Sequence, residues 1–184
     1  FDLGSNIGDS SVGFAARGAQ VHAFETLLML QPCLRENIAL NGMEQRISLH
    51  PVGLSGRDET VKVLVSASGT AAATAFGDAV RGDAVEQELR LVAALPYLKK
   101  HGITHADWLK LDCEGCEYEL LADATLLDYL QPGRIVMEYH RGGDELHAML
   151  EDHGYRVERP EREQRVGYLY AERREAATPR SRKE

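Results

Sequence analysis

Short apolar runs alternate with segments of helical period along most of this chain, and no other feature of the sequence constrains the fold as strongly. AQVHAF and GRIVMEYH predict buried strands, and RISLHPVGLS predicts a further strand. QPCLRENIALNG carries Leu34 and Ile38 one helical turn apart before an Asn-Gly stop, and CEYELLADATLLDYL predicts another single helix. Strands that alternate with helices fold into an α/β domain with a mostly parallel sheet and helices on both faces. We predict this architecture, with an antiparallel C-terminal hairpin formed by YRVERP and VGYLYAE.

The segment 58–92 interrupts this alternation. TVKVLV places valine at every second position, as a half-exposed antiparallel strand does, and a return strand is expected near residues 88–92. The residues between them, 66–83, are small and glycine-rich, with neither helical nor strand period. We therefore predict an inserted β-arm whose long loop acts as a lid or binding loop.

Length and charge limit the classes of protein to which the chain can belong. Its 184 residues fit one domain, and a formal net charge of −8 weighs against a nucleic-acid partner. There is no apolar stretch long enough for a membrane span and no signal-peptide pattern, and three cysteines are too few for a disulfide framework. We expect a cytoplasmic protein that does not engage membranes, with its oligomeric state open.

We predict one domain over residues 1–171 and a disordered, charged tail over 172–184. A central strand should have several residues before Asp2, so we also expect that the natural chain begins earlier.

The first residues, FDLGSNIGDSS, form a glycine-rich turn between a predicted strand and a predicted helix. Such a turn lets a ligand approach the backbone, because N–H groups at the start of the helix face it. Its pattern, D-x-G-x-x-x-G, has one glycine fewer than the dinucleotide motif and an acid at Asp2, which favours a ligand with an ammonium group over a pyrophosphate. Glu25 ends the second strand and is placed to bind both ribose hydroxyls. The pair predicts a ligand that contains a nucleoside.

A second group of polar residues follows LKLD. Asp112 ends a buried strand, so its carboxylate must be satisfied by a ligand, a metal or backbone donors. Glu114 precedes Gly115 at the start of a helix, where the helix dipole stabilises its negative charge. A capping role and a functional role are equally expected for this residue. Cys113 and Cys116 are interpreted as small packing residues, because one C-x-x-C pair without a second pair is not a zinc site. The helical glutamates that follow, Glu117 and Glu119, are expected to face solvent.

Four segments, FDLGSNIGDSS, AFETLLMLQPCLRENIALNG, WLKLDCEGCEYELL and IVMEYH, resemble in order and spacing the FkbM family of S-adenosylmethionine-dependent methyltransferases. The resemblance runs over residues 1–140. It implies a class I methyltransferase (Rossmann-like) fold, S-adenosylmethionine as methyl donor, and methyl transfer to a hydroxyl of a sugar, polyketide or other small metabolite. Thr26 stands where the family commonly has proline, and the two cysteines of C-x-x-C replace small aliphatic residues. The predicted cofactor-binding residues are Asp2, Gly4, Ser5, Asn6, Gly8, Glu25, Thr26, Gly53 and Asp112.

A methyl-accepting hydroxyl is a poor nucleophile until its proton is removed, so the site needs a base. His140, which follows IVMEY, has an unperturbed pKa near neutrality and is our first candidate, with Glu138 and Asp112 next. These residues and Glu114 could instead converge on a divalent cation; we predict no metal. No partner is evident for His22 or His50. The alternatives are a methyltransferase of RNA or protein, and a non-catalytic protein that binds a nucleotide cofactor.

Overall fold

The computed structural model describes residues 1–66, 84–122, 125–160 and 164–174. Within these ranges strands and helices alternate except around the predicted insertion, at two consecutive helices, Cys116–Leu121 and Thr125–Leu130, and at the C-terminal hairpin. The strands are β1 (Asp2–Leu3), β2 (Val21–Phe24), β3 (Ile47–His50), β4 (Gly53–Ser55), β5 (Glu59–Ser66), β6 (Ala84–Ala93), β7 (Trp108–Leu111), β8 (Arg134–Tyr139), β9 (Tyr155–Glu158) and β10 (Gly167–Arg173). The helices are α1 (Asp9–Ala16), α2 (Gln31–Leu40), α3 (Ala94–Lys100), α4 (Cys116–Leu121), α5 (Thr125–Leu130) and α6 (Asp144–Asp152).

Seven strands form the main sheet in the order β3-β2-β1-β7-β8-β10-β9. The first five of these pair in parallel, whereas β10 runs antiparallel to both β8 and β9. This confirms the predicted sheet and C-terminal hairpin. The order of strands reverses at β1, which lies between β2 and β7, and ligands of such sheets bind at this reversal, beyond the carboxyl ends of the strands.

Helices cover both faces of the sheet, as β2 illustrates. Val21 and Ala23 pack in one apolar cluster with residues of α1 and α2, such as Leu34. Phe24 points to the opposite face, because successive strand residues alternate, and packs in a larger cluster with α3 and α5. The carboxyl end of β2 is therefore fixed by packing on both sides.

The inserted β-arm is confirmed, but its base differs from the prediction. β5 and β6 pair antiparallel from Glu59 opposite Leu91 to Ser66 opposite Ala84, and β4 adds a third strand beside β6. RISLHPVGLS, expected as one strand, is split between β3 in the main sheet and β4 in this smaller sheet. Pro51 lies at the break, where its missing N–H interrupts strand pairing. Residues 67–83, the body of the predicted lid, lie outside the described residues.

Two further boundaries differ from the sequence prediction. CEYELLADATLLDYL forms two helices, α4 and α5, rather than one; Leu121 and Leu127 are six residues apart, a rotation of about 240° in a single helix, yet both are buried in the same cluster. Strand β10 continues to Arg173, opposite Tyr155, so order extends past residue 171. None of the described helices combines the length and apolar character that crossing a bilayer requires.

Two histidines on the neighbouring strands β2 and β3, His22 and His50, have partners that the sequence did not reveal. His22 Nδ1 lies 3.0 Å from His50 Nε2, and His50 Nδ1 lies 3.0 Å from the Tyr97 hydroxyl. The His50 ring also stacks on Phe24 at 4.5 Å between centroids. Burial, reinforced by the charges of His22 and His101, lowers the pKa of His50 to about 4. His50 is therefore neutral at physiological pH.

Candidate active site

A cavity of about 650 Å³ opens beyond the carboxyl ends of β1, β2, β7 and β8, where the strand order reverses. Its wall brings together most of the residues predicted from the sequence. Those that line it are Gly4, Asn6, Glu25, Thr26, Gly53, Asp112, Glu138 and His140.

The first turn, residues 4–8, passes so close to its neighbours that glycine is required. Gly4 has a φ of +77°, and a Cβ there would lie 1.8 Å from the carbonyl oxygen of Asp112. Gly8 has a φ of +90°, and its Cβ would lie 2.3 Å from Leu34 Cδ1. Asn6 is also left-handed, with a φ of +52°, an uncommon conformation that its short polar side chain tolerates. The turn is thus a shaped backbone surface rather than an ordinary loop.

Three predicted residues, Asp2, Ser5 and Gly8, do not line the cavity wall. Ser5 and Gly8 are buried parts of the turn itself, and Asp2 is buried on β1, just before the turn. The fully buried Asp2 carboxylate accepts hydrogen bonds from Ser10 and Ser11, each at 2.6 Å. Ser5 Oγ donates to the Asp2 carbonyl at 2.9 Å. The ligand contact expected for Asp2 is therefore replaced by a supporting position under the turn.

Lys110, on β7, contacts both the first turn and Asp112, and no sequence pattern indicated this role. Its Nζ lies 3.0 Å from Asp2 Oδ1 and 3.7 Å from Asp112 Oδ2, and donates to the Gly4 carbonyl at 3.1 Å. A cation in the middle of a strand is usually a solvent-facing residue, so its role follows only from the pairing of β1 with β7.

Glu25 forms the wall next to the first turn and is only 5% exposed. Its Oε2 accepts the Asn6 N–H at 2.8 Å, and its Oε1 accepts the Leu27 N–H at 2.7 Å. Burial raises the pKa of Glu25, and these backbone hydrogen bonds oppose the rise. Each carboxylate oxygen can accept a further hydrogen bond, so Glu25 can still take two ligand hydroxyls.

Gly53 and Thr26 close the same end of the cavity. A Cβ on Gly53 would lie 2.6 Å from Leu91 Cδ2 and 3.7 Å from Thr26 Cβ. The first residue of β4 thus packs tightly between the β-arm and the residue after Glu25. The wall continues onto the arm as an apolar surface that includes Val61, Val63 and Leu89.

The second turn, residues 112–115, leads from β7 into α4 and has an unusual backbone. Glu114 is left-handed with a φ of +56°, and Gly115 follows with a φ of +112°. Non-glycine residues in this region are strained and concentrate at functional sites. A disulfide joins Cys113 to Cys116 across the turn, so the packing role predicted for these cysteines is wrong. Since disulfides are rare in reducing compartments, the cysteines also give no support to a cytoplasmic location.

His140 follows β8 and faces carboxylates on both ring nitrogens. Its Nδ1 lies 3.0 Å from Glu117 Oε1, and its Nε2 lies 3.4 Å from Glu114 Oε2. Glu117, predicted to face solvent, is fully buried, and its Oε2 accepts the Gly115 N–H at 2.9 Å. The signal was present in the sequence, because Leu120 and Leu121 follow three and four residues later on the same helix face.

The acids around His140 repel one another. Burial raises the pKa of Glu114, and burial together with the charge of Asp112 raises that of Glu138. Burial lowers the pKa of His140, but the hydrogen bond to Glu117 and the charges of Glu114 and Glu138 outweigh it and leave a net rise. This end of the cavity therefore holds groups that can exchange protons near neutral pH.

Ligand atoms of Asp112, Glu114 and His140 lie within 4.8 Å of one another, which is compact enough for a cation. The basic side chains of the cavity wall, in contrast, are engaged by acids: Arg57 Nη2 lies 2.8 Å from Glu59, and Lys62 Nζ lies 2.8 Å from Glu86. The charge of the wall suits a cationic ligand better than a pyrophosphate.

Comparison with known proteins relates this site to a family. The model of the methyltransferase FkbM domain matches residues 2–157. Among curated proteins, none matches the chain significantly.

Solved structures share the fold at low sequence identity. Methyltransferase FkbM from Methylobacillus flagellatus superposes with a TM-score of 0.59 and 18% identity, over 92% of this chain and 42% of that one. Precorrin-6y C5,15-methyltransferase from Geobacter metallireducens superposes with a TM-score of 0.53 and 15% identity, over 94% of this chain and 78% of that one. A protein of the NADB-Rossmann superfamily from Streptococcus agalactiae superposes with a TM-score of 0.52 and 13% identity, over 94% of this chain and 60% of that one. The fold is that of the Rossmann-like class I methyltransferases, and the chain spans less than half the length of the first of these proteins.

Proposed function

The chain belongs to the FkbM methyltransferase family, and from this premise we propose that it transfers a methyl group from S-adenosylmethionine to a hydroxyl oxygen of a small molecule. One observation carries the proposal: a single cavity has a buried carboxylate suited to a ribose, Glu25, at one end and a histidine between carboxylates, His140, at the other.

The residues present fit the methyl donor. Gly4 and Asn6 expose the backbone of the first turn to the cavity, and Asn6 lies beside Glu25, to which its N–H donates. We assign the ribose to Glu25, the adenine side to Thr26 and Gly53, and the methionine part to Gly4 and Asn6. Asp112 faces the ammonium end. Asp2, Ser5 and Gly8 act indirectly, by holding the first turn in shape.

S-adenosylmethionine, when bound, would supply a sulfonium methyl group for in-line transfer to the acceptor oxygen, with the sulfur as the leaving group. The chain contributes alignment of the acceptor and removal of its proton. His140 is the proposed base, with Glu138 and Asp112 as the alternatives among the described residues. Carboxylates near the donor also favour its positive charge.

The wall of the cavity supports a small acceptor that is partly apolar. The β-arm contributes Val61, Val63 and Leu89, while His140 offers a base for an acceptor hydroxyl. The chain's net charge of −8 disfavours RNA as the acceptor. A protein acceptor and a purely binding role are the alternative hypotheses. A cytoplasmic location stays a prediction, as does the role of the loop 66–83 as a lid.

Calorimetric titration of the protein with S-adenosylmethionine and, separately, with NAD tests the proposal. We expect heat of binding with the first and none with the second; the reverse result would replace the methyl donor by a dinucleotide. A screen of hydroxylated metabolites for methyl transfer from isotopically labelled donor then tests catalysis. Binding without transfer to any hydroxylated class would favour the non-catalytic alternative.

A further inference from the structure

Glu117 is a fully buried carboxylate in the first turn of α4, next to the proposed base. Burying an ionised carboxylate is costly unless hydrogen bonds satisfy it. Both of its oxygens are engaged, since Oε2 accepts the Gly115 N–H at 2.9 Å and Oε1 lies 3.0 Å from His140 Nδ1. The backbone of the second turn thus holds the carboxylate against one nitrogen of the imidazole ring.

Both ring nitrogens of His140 face a carboxylate, but the Nδ1 contact with Glu117, at 3.0 Å, is the hydrogen bond, whereas Nε2 lies 3.4 Å from Glu114. The shorter contact determines which ring nitrogen of neutral His140 carries the proton. A carboxylate only accepts hydrogen bonds, so Nδ1, which faces Glu117, must donate. The lone pair of the neutral ring then lies on Nε2, on the side of Glu114 and the cavity. We propose that Glu117 is a positioning residue that fixes His140 as the Nδ1–H tautomer and directs the Nε2 lone pair at the acceptor hydroxyl.

The role rests on the proposed function, in which His140 is the base. As the acceptor oxygen bonds to the methyl carbon, the carbon–sulfur bond breaks with its electron pair on sulfur, and the hydroxyl proton passes to Nε2. His140 becomes an imidazolium ion, with Glu117 at Nδ1–H and Glu114 facing the new Nε2–H. The proton later leaves from Nε2 to water. Glu117 touches no reacting atom.

Carboxylates on three elements face His140: Asp112 and Glu114 on the second turn, Glu117 on α4 and Glu138 on β8. Their combined effect outweighs burial and raises the pKa of His140 above 6.5. Because the base acts in its neutral form, turnover should rise with pH through this raised pKa. Removing the charge of Glu117 removes part of the rise, so the acid limb of the pH–rate profile should move to lower pH.

Nitrogen-15 NMR of the histidine side chains measures the tautomer in the free protein, with neither donor nor acceptor present. The His140 signals are assigned by their absence in His140→Ala. Above the pKa we expect a protonated Nδ1 and an unprotonated Nε2 in the wild type. A wild-type ring that carries its proton on Nε2 would overturn the proposal.

Glu117→Gln should invert this tautomer. The Gly115 N–H requires an acceptor, so the amide oxygen takes the position of Oε2, and the amide NH₂ then faces Nδ1 and donates to it. The proton of neutral His140 moves to Nε2, where it blocks the base. An unchanged tautomer in a folded Glu117→Gln variant would contradict the proposal; if the variant does not fold, the wild-type spectrum decides.

Kinetics provide the second measurement. Glu117→Gln should lower turnover by about 100-fold, the scale of general-base catalysis, with the affinity for S-adenosylmethionine unchanged and the acid limb at lower pH. The matched control is Glu145→Gln, an exposed glutamate on α6, which should behave as wild type. If turnover falls while the acid limb of the pH–rate profile and the His140 tautomer stay unchanged, the role of Glu117 is merely structural and the proposal is wrong.

Two outcomes separate this proposal from the proposed function. If the wild type neither binds the donor nor transfers methyl groups, the proposed function fails, while the NMR experiment still reports on the Glu117–His140 pair. If a chelator abolishes turnover and added Mg²⁺ or Mn²⁺ restores it, His140 is a metal ligand and its assignment as a positioned base is overturned.

Discussion

The first turn and the second turn are built alike but hold their carboxylates differently. Each connects a parallel strand to a helix, and each combines a left-handed non-glycine residue, Asn6 or Glu114, with a left-handed glycine before the helix. At the first turn, Glu25 is held by two backbone N–H groups. At the second, Glu114 and Glu138 lie near other acids, and the charge of His140 offsets part of the repulsion.

This difference indicates a division of labour. A carboxylate held by backbone donors forms a fixed binding surface, whereas carboxylates crowded around a histidine can exchange protons with it. We therefore assign recognition of the methyl donor to the first turn and proton transfer to the second. The predictions below test whether the two turns separate in this way.

Gly4→Ala should have the largest effect, because it disrupts both turns at once. The added Cβ would lie 1.8 Å from the carbonyl oxygen of Asp112, and β1 and β7 would have to separate. We expect a loss of more than about 4 kcal/mol in the free energy of unfolding, measured by urea denaturation.

The control is Gly18→Ala, at a left-handed glycine with a φ of +97° and no atom within 4 Å of the added Cβ. It should cost only about 1 to 2 kcal/mol of backbone strain. Equal losses in the two variants would refute the close approach of the turns.

Substitutions at the two turns should separate binding from turnover. Glu25→Ala should weaken S-adenosylmethionine binding by about 10- to 100-fold, because hydrogen bonds to a charged group are lost. His140→Ala should lower turnover by about 100-fold and leave the affinity nearly unchanged. Calorimetry and steady-state kinetics on both variants check this. Loss of affinity in both, or full activity in His140→Ala, would remove the division of labour.

Acid should destabilise the protein through His50, beside the first turn. Its pKa is about 4 in the folded state and near 6.5 when unfolded, so the unfolded chain binds more protons between these values. Stability therefore falls as pH drops from 6.5 to 4, by about 3 kcal/mol from this residue. His50→Gln should show a shallower fall in urea midpoints across the same pH range. Parallel curves for the two proteins would contradict the assignment.

The smallest expected effect is a gain in stability. Glu138→Gln removes repulsion with Asp112 and should add about 0.5 kcal/mol at pH 7, after allowance for solvent screening. Because the folded-state pKa of Glu138 is raised, wild-type Glu138 becomes protonated as pH falls, and the gain should shrink toward pH 4.5. Thermal unfolding at both pH values measures it, with the exposed Glu36→Gln as control. A loss at pH 7 would mean that the second turn carries no electrostatic strain.

The sequence predicted the first turn better than the second for a physical reason. Gly4, Gly8 and Glu25 can be recognised from the local sequence. A left-handed turn favours glycine, and Glu25 stands directly after a predicted strand. The role of Asp2 could not be predicted in the same way. Its carboxylate could point toward a ligand or toward Ser10, and only the packing of α1 against β1 decides between them.

The second turn depends on contacts that are distant in sequence. Glu117 meets His140 only because α4 packs beside the end of β8, and Lys110 meets Asp2 only because β7 pairs with β1. The split of RISLHPVGLS between two sheets was likewise hidden, since a proline in an apolar run marks a break without saying where the next strand pairs. Alternation predicted the sheet, but not the partners of its charged side chains.

The central claim is that one ligand, the methyl donor, lies between the two turns. Titration of ¹⁵N-labelled protein with S-adenosylhomocysteine, followed by the backbone amide signals, tests it most directly. We predict that the amides of Asn6 and Gly115 both shift and give a single dissociation constant, while that of the distant Gly154 does not move. Shifts at only one of the two turns, or at neither, would contradict the account.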